Sequence, residues 1–245
     1  MSTSRPLLLL VLLGSALVWA AAGELQWPAR LLTTALLVPV PAALVMQARL
    51  VGDPASLPRL AVYASSAVSL IVLATATVAA AKTGGFSLHA LGLALPGGWG
   101  TQLAWAVGCT AVAITITWVG HLLGLRETQL LFHLLPRTIS ERAAFLGLSV
   151  TAGFCEELVF RGFLITAIHA ASGSLVLALL MSSLAFGVVH AYQEPGGIAR
   201  ATLLGLVLAA PLVITGSLAG AMLAHTAIDI IGGWWLGPRL LRSAD

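Results

Sequence analysis

Six side chains in the second half of this sequence have the types and spacing for hydrolysis: Glu156, Glu157, Arg161, His190, His225 and Asp229. Carboxylates and imidazoles can take a proton from water and return it to a leaving group near neutral pH. Helical geometry sorts them. Glu157 and Arg161 are spaced i,i+4 and share a face, so they can pair and offset one another. Glu156 is rotated about 100° from Glu157 and roughly 140° from Arg161. It is the carboxylate less engaged by the arginine, and so the one available as a general base. His225 and Asp229 are again i,i+4 and face one way. The set suits two chemistries. In one, Glu156 and His190 hold a water while His225 donates to an oxyanion. In the other, His190, His225 and Glu156 bind a divalent metal such as zinc, with an open water position.

Each piece alone has a plainer meaning. An Arg–Glu pair in a bundle can be structural, His190 can be an interfacial polar residue, and His225 with Asp229 can be an interhelical latch. Three such features in one chain argue for a site.

The elements that must position these groups are membrane helices. Hydrophobic residues make up 59% of the 245, and charged residues only 9%. A soluble domain draws about a quarter of its residues from charged types, so a soluble fold is excluded. Disorder is excluded as well, because it needs low hydrophobicity and high charge. Mean hydropathy is +1.00. With roughly 20 apolar residues per span, the chain holds about eight: 6–22, 31–46, 60–81, 103–123, 143–168, 174–191, 197–214 and 217–236. The predicted fold is all-α, a polytopic membrane helix bundle, with residues 1–245 as one integral membrane domain.

The first segment also resembles a signal peptide, with Arg5, an apolar run and small residues at 20–23. The charge pattern favours an anchor. Pro39 and Pro41 should kink the second span. Glycines at 153, 162, 187, 205, 220, 232 and 233 are placed to permit close helix packing.

Lysine and arginine in alternate loops set orientation. One side carries Arg5, Arg49, Arg59, Arg126, Arg137, Arg142, Arg200, Arg239 and Arg242; the other has Arg30 and Lys82. Both termini are then cytoplasmic, and the plasma (inner) membrane is the expected location. The net charge of +3 is a topology signal, and no nucleic acid partner is implied. The partners expected are the lipid bilayer and a membrane-associated peptide or protein. Oligomeric state is not legible. Cys109 and Cys155 form neither a metal knuckle nor a disulfide framework.

Arg161, Glu156, Glu157 and Asp229 fall inside spans, where each charge costs about 2.5–3.5 kcal/mol on insertion scales. Glu156 lies roughly 20 Å along its helix from the inner end of its span, whereas His190 sits at the inner end of its own. For the two to meet, the fifth helix must begin in the cytoplasm, be tilted, or the sixth must extend further. A cavity wetted from the cytoplasmic side is expected, because hydrolysis needs water.

Glu156-Glu157-Leu-Val-Phe-Arg161, Phe186-Gly-Val-Val-His190 and His225-Thr-Ala-Ile-Asp229, in this order, resemble the motifs of the CPBP family. That family comprises the type II CAAX prenyl proteases and the bacteriocin-processing or self-immunity (ABI) proteins. The Leu135-Pro136-Arg137 turn is similar too, so the resemblance covers a catalytic core at 135–237. It implies an intramembrane endopeptidase, often described as a metalloprotease, for which a metal-free glutamate mechanism has also been argued. By that resemblance Glu156 activates water with help from His190, His225 and Asp229 stabilise the oxyanion, and Glu157 and Arg161 orient the site. Asp229 departs from the Asn of the eukaryotic members. An ionised Asp only accepts hydrogen bonds, so it could instead orient His225 or ligate a metal. The alternative is a catalytically silent immunity or scaffold protein of the same fold. A proton-coupled transporter would call for inverted repeats, and no repeat is present.

Overall fold

In a computed structural model, residues 4–50, 52, 56–124 and 128–237 are described. Arg126, Arg239 and Arg242 of the orientation argument lie outside them. The described residues are helical with no strand; the one β-bridge joins Leu93 to Ser217. The helices are α1 (Ser4–Ala21), α2 (Trp27–Leu37), α3 (Pro39–Leu50), α4 (Arg59–Thr83), α5 (Gly98–Leu122) and the short α6 (Gln129–His133). They continue as α7 (Ile139–Glu156), α8 (Thr166–Ser172), α9 (Leu175–Val189), α10 (Glu194–Thr215) and α11 (Ala219–Ile231). A π-helical stretch, Glu157–Ile165, joins α7 to α8, and a second, Gly232–Leu236, prolongs α11.

All eight expected segments are helical, but only five helices among the described residues are long and apolar enough to cross a bilayer. They are Trp27–Leu50, Arg59–Thr83, Gly98–Leu122, Ile139–Ser172 and Ala191–Thr215. The architecture is the expected all-α polytopic bundle. Pro6–Ala21 and Leu175–Val189 are shorter apolar helices, and α11 has 13 residues before its π turn. The kink expected at the prolines falls at Val38, where the backbone leaves helical geometry between α2 and α3.

The helix Ile139–Ser172 has 34 residues and spans about 50 Å. Its start is set by a capping box: the Thr138 hydroxyl accepts from the Glu141 N–H, and the Glu141 carboxylate accepts from the Thr138 N–H. Its end is set by Gly173, whose φ of 68° closes the last turn. Glu156 and His190 each lie seventeen residues from Gly173, on opposite arms of this hairpin. They share one depth because α9 has only 15 residues, about 22 Å of helix, and stops inside the bundle. The fifth helix also begins earlier than expected, at Ile139, so it extends well beyond Glu156 on both sides.

Because α10 starts directly after the turn at His190, Arg200 lies within the span Ala191–Thr215. Its side chain reaches back to that turn, where Nη2 donates to Gln193 Oε1 at 3.0 Å.

Small residues let the helices close on one another. A Cβ on Gly153 of α7 would strike Thr226 and come within 2.9 Å of the Met222 carbonyl on α11. A Cβ on Gly187 of α9 would strike Thr202 and the Ile198 carbonyl of α10, the latter at 2.8 Å. Gly162, Gly205, Gly220 and Gly233 are likewise packed against neighbours, whereas Gly232 faces open space and has no packing role. The connection between α4 and α5 dips inward: Leu91 is fully buried, and a Cβ on Gly162 would lie 2.9 Å from its carbonyl. This connection also caps α11. The Gly92 carbonyl accepts from the Leu218 N–H (2.8 Å), and the buried Gln102 accepts from the Gly220 N–H (3.2 Å). These bonds satisfy orphan donors at the helix start and fix the height of His225. Outside, side chains such as Leu17 and Val107 are over 70% exposed, as a lipid-facing surface requires.

Gly153→Ala is expected to cost about 1–3 kcal/mol through overpacking against α11, whereas Gly232→Ala costs nothing measurable. Thermal melts of the two variants in detergent separate these outcomes.

Candidate active site

The π-helical stretch following Glu156 places Glu157 and Arg161 inward, where both are at most 1% exposed. Widened helical turns of this kind recur at functional sites. Arg161 Nη1 lies 3.0 Å from Glu157 Oε1. The same Oε1 is 2.8 Å from His225 Nδ1. Glu157 thus takes the arginine of its own helix and the histidine of α11 on one oxygen. An imidazole that gives its Nδ1–H to a carboxylate presents Nε2 outward.

His225 Nε2 points toward Glu156, 3.9 Å from its Oε2. His190 Nε2 lies 4.0 Å from the same oxygen. His190 Nδ1 is 2.7 Å from the Phe186 carbonyl one turn back on α9. A carbonyl can only accept, so Nδ1 carries the hydrogen and Nε2 of the neutral ring is an acceptor. Glu156 Oε2 itself is buried and has no hydrogen-bond partner among the described residues. This is the carboxylate that helical geometry separated from the arginine.

Phe186 closes the group. The Arg161 guanidinium stacks 4.0 Å above its ring, a cation–π contact that stabilises a desolvated arginine by about 2 kcal/mol. His190 lies 4.7 Å from the same ring, and His225 meets it edge-on at 5.8 Å. Sequence reasoning used Phe186 only as a motif position. Its place one turn before His190 was the signal that the two share a face.

Asp229 stands at the rim. Its side chain is 31% exposed and Oδ1 is 3.9 Å from His225 Nε2. The nitrogen that an orienting carboxylate would hold is taken by Glu157, so Asp229 lies on the reactive side of the ring. All six residues singled out above come together in this one group.

The spacing bears on a metal. Ligands about 2.1 Å from a tetrahedral zinc lie roughly 3.4 Å apart, closer than the 3.9 and 4.0 Å between Glu156 and the imidazoles. Two acceptors hydrogen-bonded to one water at ~2.8 Å are separated by about 4 Å or more. Among the described residues no three His, Cys, Asp or Glu side chains converge as a metal site. The donor set as it stands fits a water.

Residues 138–231 match the family model described as type II CAAX prenyl endopeptidase Rce1-like. No curated protein and no solved structure matches the chain.

The ion pair generates its own test. Arg161→Met strands a buried carboxylate and should cost about 3–5 kcal/mol. Glu157→Leu combined with Arg161→Met should recover most of that loss in a double-mutant thermal analysis. A double variant as unstable as the single would mean that the pair is not the reason for the cost.

Proposed function

With residues 138–231 matching the family model of the type II CAAX prenyl endopeptidase Rce1-like proteins, we propose that this protein is an intramembrane endopeptidase in which Glu156 is the general base. At family level the matched segment is that of a CAAX-protease-like membrane hydrolase. The observation that carries the mechanism is the buried, unpartnered Oε2 of Glu156 between two imidazole nitrogens.

A water in that position donates one hydrogen to Glu156 and the other to His190 Nε2. Both its protons are then directed into the protein, and a lone pair is left for the substrate carbonyl. As the water oxygen bonds to the carbonyl carbon, its proton passes to Glu156. The carbonyl oxygen becomes an oxyanion, which His225 Nε2 stabilises when the ring is protonated. Glu157, by holding Nδ1, keeps that ring aimed. On collapse the C–N bond breaks, Glu156 returns its proton to the departing amine, and the other fragment keeps the second water proton as a carboxylic acid, which ionises on release.

Substrate enters from the side where Asp229 is exposed. The lysine and arginine excess supports a cytoplasmic position for that side and for both termini. The plasma (inner) membrane remains the proposed location. The substrate is a membrane-associated peptide or protein, with a prenylated C-terminal segment as the family's own example. A metal at His190, His225 and Glu156 would supply Lewis-acid activation of water. The donor spacing does not favour it, and no step above uses it.

Glu156→Ala should abolish hydrolysis of a quenched prenylated CAAX peptide while membrane insertion and the thermal midpoint are retained. Wild-type protein purified in parallel should carry no stoichiometric metal that His190→Ala and His225→Ala remove. Cleavage surviving Glu156→Ala would overturn the base assignment, and a metal lost in both histidine variants would overturn the metal-free mechanism.

A further inference from the structure

In the proposed mechanism the site is rich in acceptors and poor in donors. Glu156 accepts, His190 Nε2 accepts from the water, and Asp229, where the eukaryotic members of the family have Asn, accepts when ionised. A tetrahedral oxyanion needs donors, and His225 supplies one. The turn between α9 and α10 supplies another group of the required kind.

That turn, Ala191–Gln193, follows His190 directly. The Tyr192 ring lies 5.9 Å from the His190 ring, tilted by 35°. Its hydroxyl accepts from Gln193 Nε2 at 3.0 Å, which leaves its own O–H free to donate. Gln193 is held in turn, because its Oε1 accepts from Arg200 Nη2 at 3.0 Å. The charged groups in electrostatic reach of the tyrosine hydroxyl are Glu156, Asp229 and Arg200, two from the catalytic helices and one from α10.

The local backbone is built around this chain of contacts. Glu194 has φ 61°, uncommon for any residue but glycine and found here just before Pro195. Such a conformation costs on the order of 1–3 kcal/mol and persists where the surroundings impose it. Gly197 lies so close to the Gln193 side chain that a Cβ would collide with it. Arg200, an ionisable residue inside a span, is costly unless it has a task.

We propose that the Tyr192 hydroxyl is a second oxyanion donor of this site and that Gln193 and Arg200 are its positioning residues. The inference rests on the hydrolytic reading above. It assigns Tyr192 to the transition state rather than to substrate binding. In the tetrahedral species the carbonyl oxygen carries the charge, His225 and Tyr192 each donate one hydrogen bond to it, and neither changes its covalent bonding. The work that a neutral Asn amide could perform at position 229 is then done from the neighbouring α9–α10 turn.

The test uses the full chain in detergent and the same quenched prenylated CAAX peptide. Tyr192→Phe removes the hydroxyl alone, and loss of one oxyanion donor lowers kcat by about 10²-fold or more, with KM within twofold of wild type. Gln193→Met frees the hydroxyl from its lock and should lower kcat about 3- to 10-fold, again without a change in KM. Loss of activity in Glu156→Ala, together with a Tyr192→Phe kcat within threefold of wild type, overturns the Tyr192 assignment and leaves the hydrolytic reading standing. A Tyr192→Phe loss carried by KM also overturns it, because the hydroxyl would then bind ground-state substrate. Hydrolysis that survives Glu156→Ala, or that wild type fails to perform, overturns the hydrolytic reading and this inference with it.

Discussion

The site depends on one oxygen. Glu157 Oε1 lies 3.0 Å from Arg161 and 2.8 Å from His225 Nδ1, in surroundings that exclude water. In a medium of low polarity such a group is stable only when each charge has a partner close by. The arginine neutralises the carboxylate, the Phe186 ring covers the arginine, and the histidine is held in one orientation as a consequence. Moving any of these would leave an uncompensated buried charge, so the packing of α7, α9 and α11 is tied to the geometry of the reactive groups. Glu156, one residue away, escapes this network and keeps an unpartnered oxygen between two imidazoles. Two adjacent glutamates therefore have separate surroundings: Glu157 Oε1 is held by Arg161 and His225, and Glu156 Oε2 has no hydrogen-bond partner among the described residues.

The fold serves this arrangement by helix length and close approach. A helix of 15 residues cannot cross a bilayer, and α9 ends where its C-terminal histidine meets Glu156. The re-entrant connection before α5 performs the matching task for α11, since it caps that helix below the surface and so sets the height of His225. Glycines at 153 and 187 bring α7 to α11 and α9 to α10 at near backbone contact. Irregular backbone is tolerated at such depth only where protein or water surrounds it, and both irregular segments lie against the bundle.

Much of this was legible in the residues. The i,i+4 relation of Glu157 and Arg161 is a property of any helix, and the π-helical turns do not alter it enough to separate the pair. The rotation of Glu156 away from the arginine follows from the same geometry. Six of the seven glycines singled out are packed against a neighbouring side chain or backbone. Exact helix lengths, the contact of Arg200 with the α9–α10 turn and the partner of His225 were not legible. Hydropathy averages over a window, so a 15-residue apolar helix and a full span look alike. The Arg200 contact is one that no spacing rule gives, because it depends on the turn that joins α9 to α10. His225 and Asp229 are one turn apart and would be paired by spacing, yet the nitrogen that needs a partner faces another helix.

Composition and periodicity, which are local and additive, determined on their own that this is an all-α membrane protein and that Glu156, Glu157, Arg161 and Asp229 fall within its apolar segments. They also determined which neighbours on one helix could pair. The tertiary structure decided which groups meet between helices: Glu157 with His225, Glu156 with both imidazoles, Arg200 with the turn beside the site. Those meetings depend on where each helix starts and stops relative to the others. That is set by capping, by close glycine contacts and by the cost of an unpaired buried charge, summed over several helices at once.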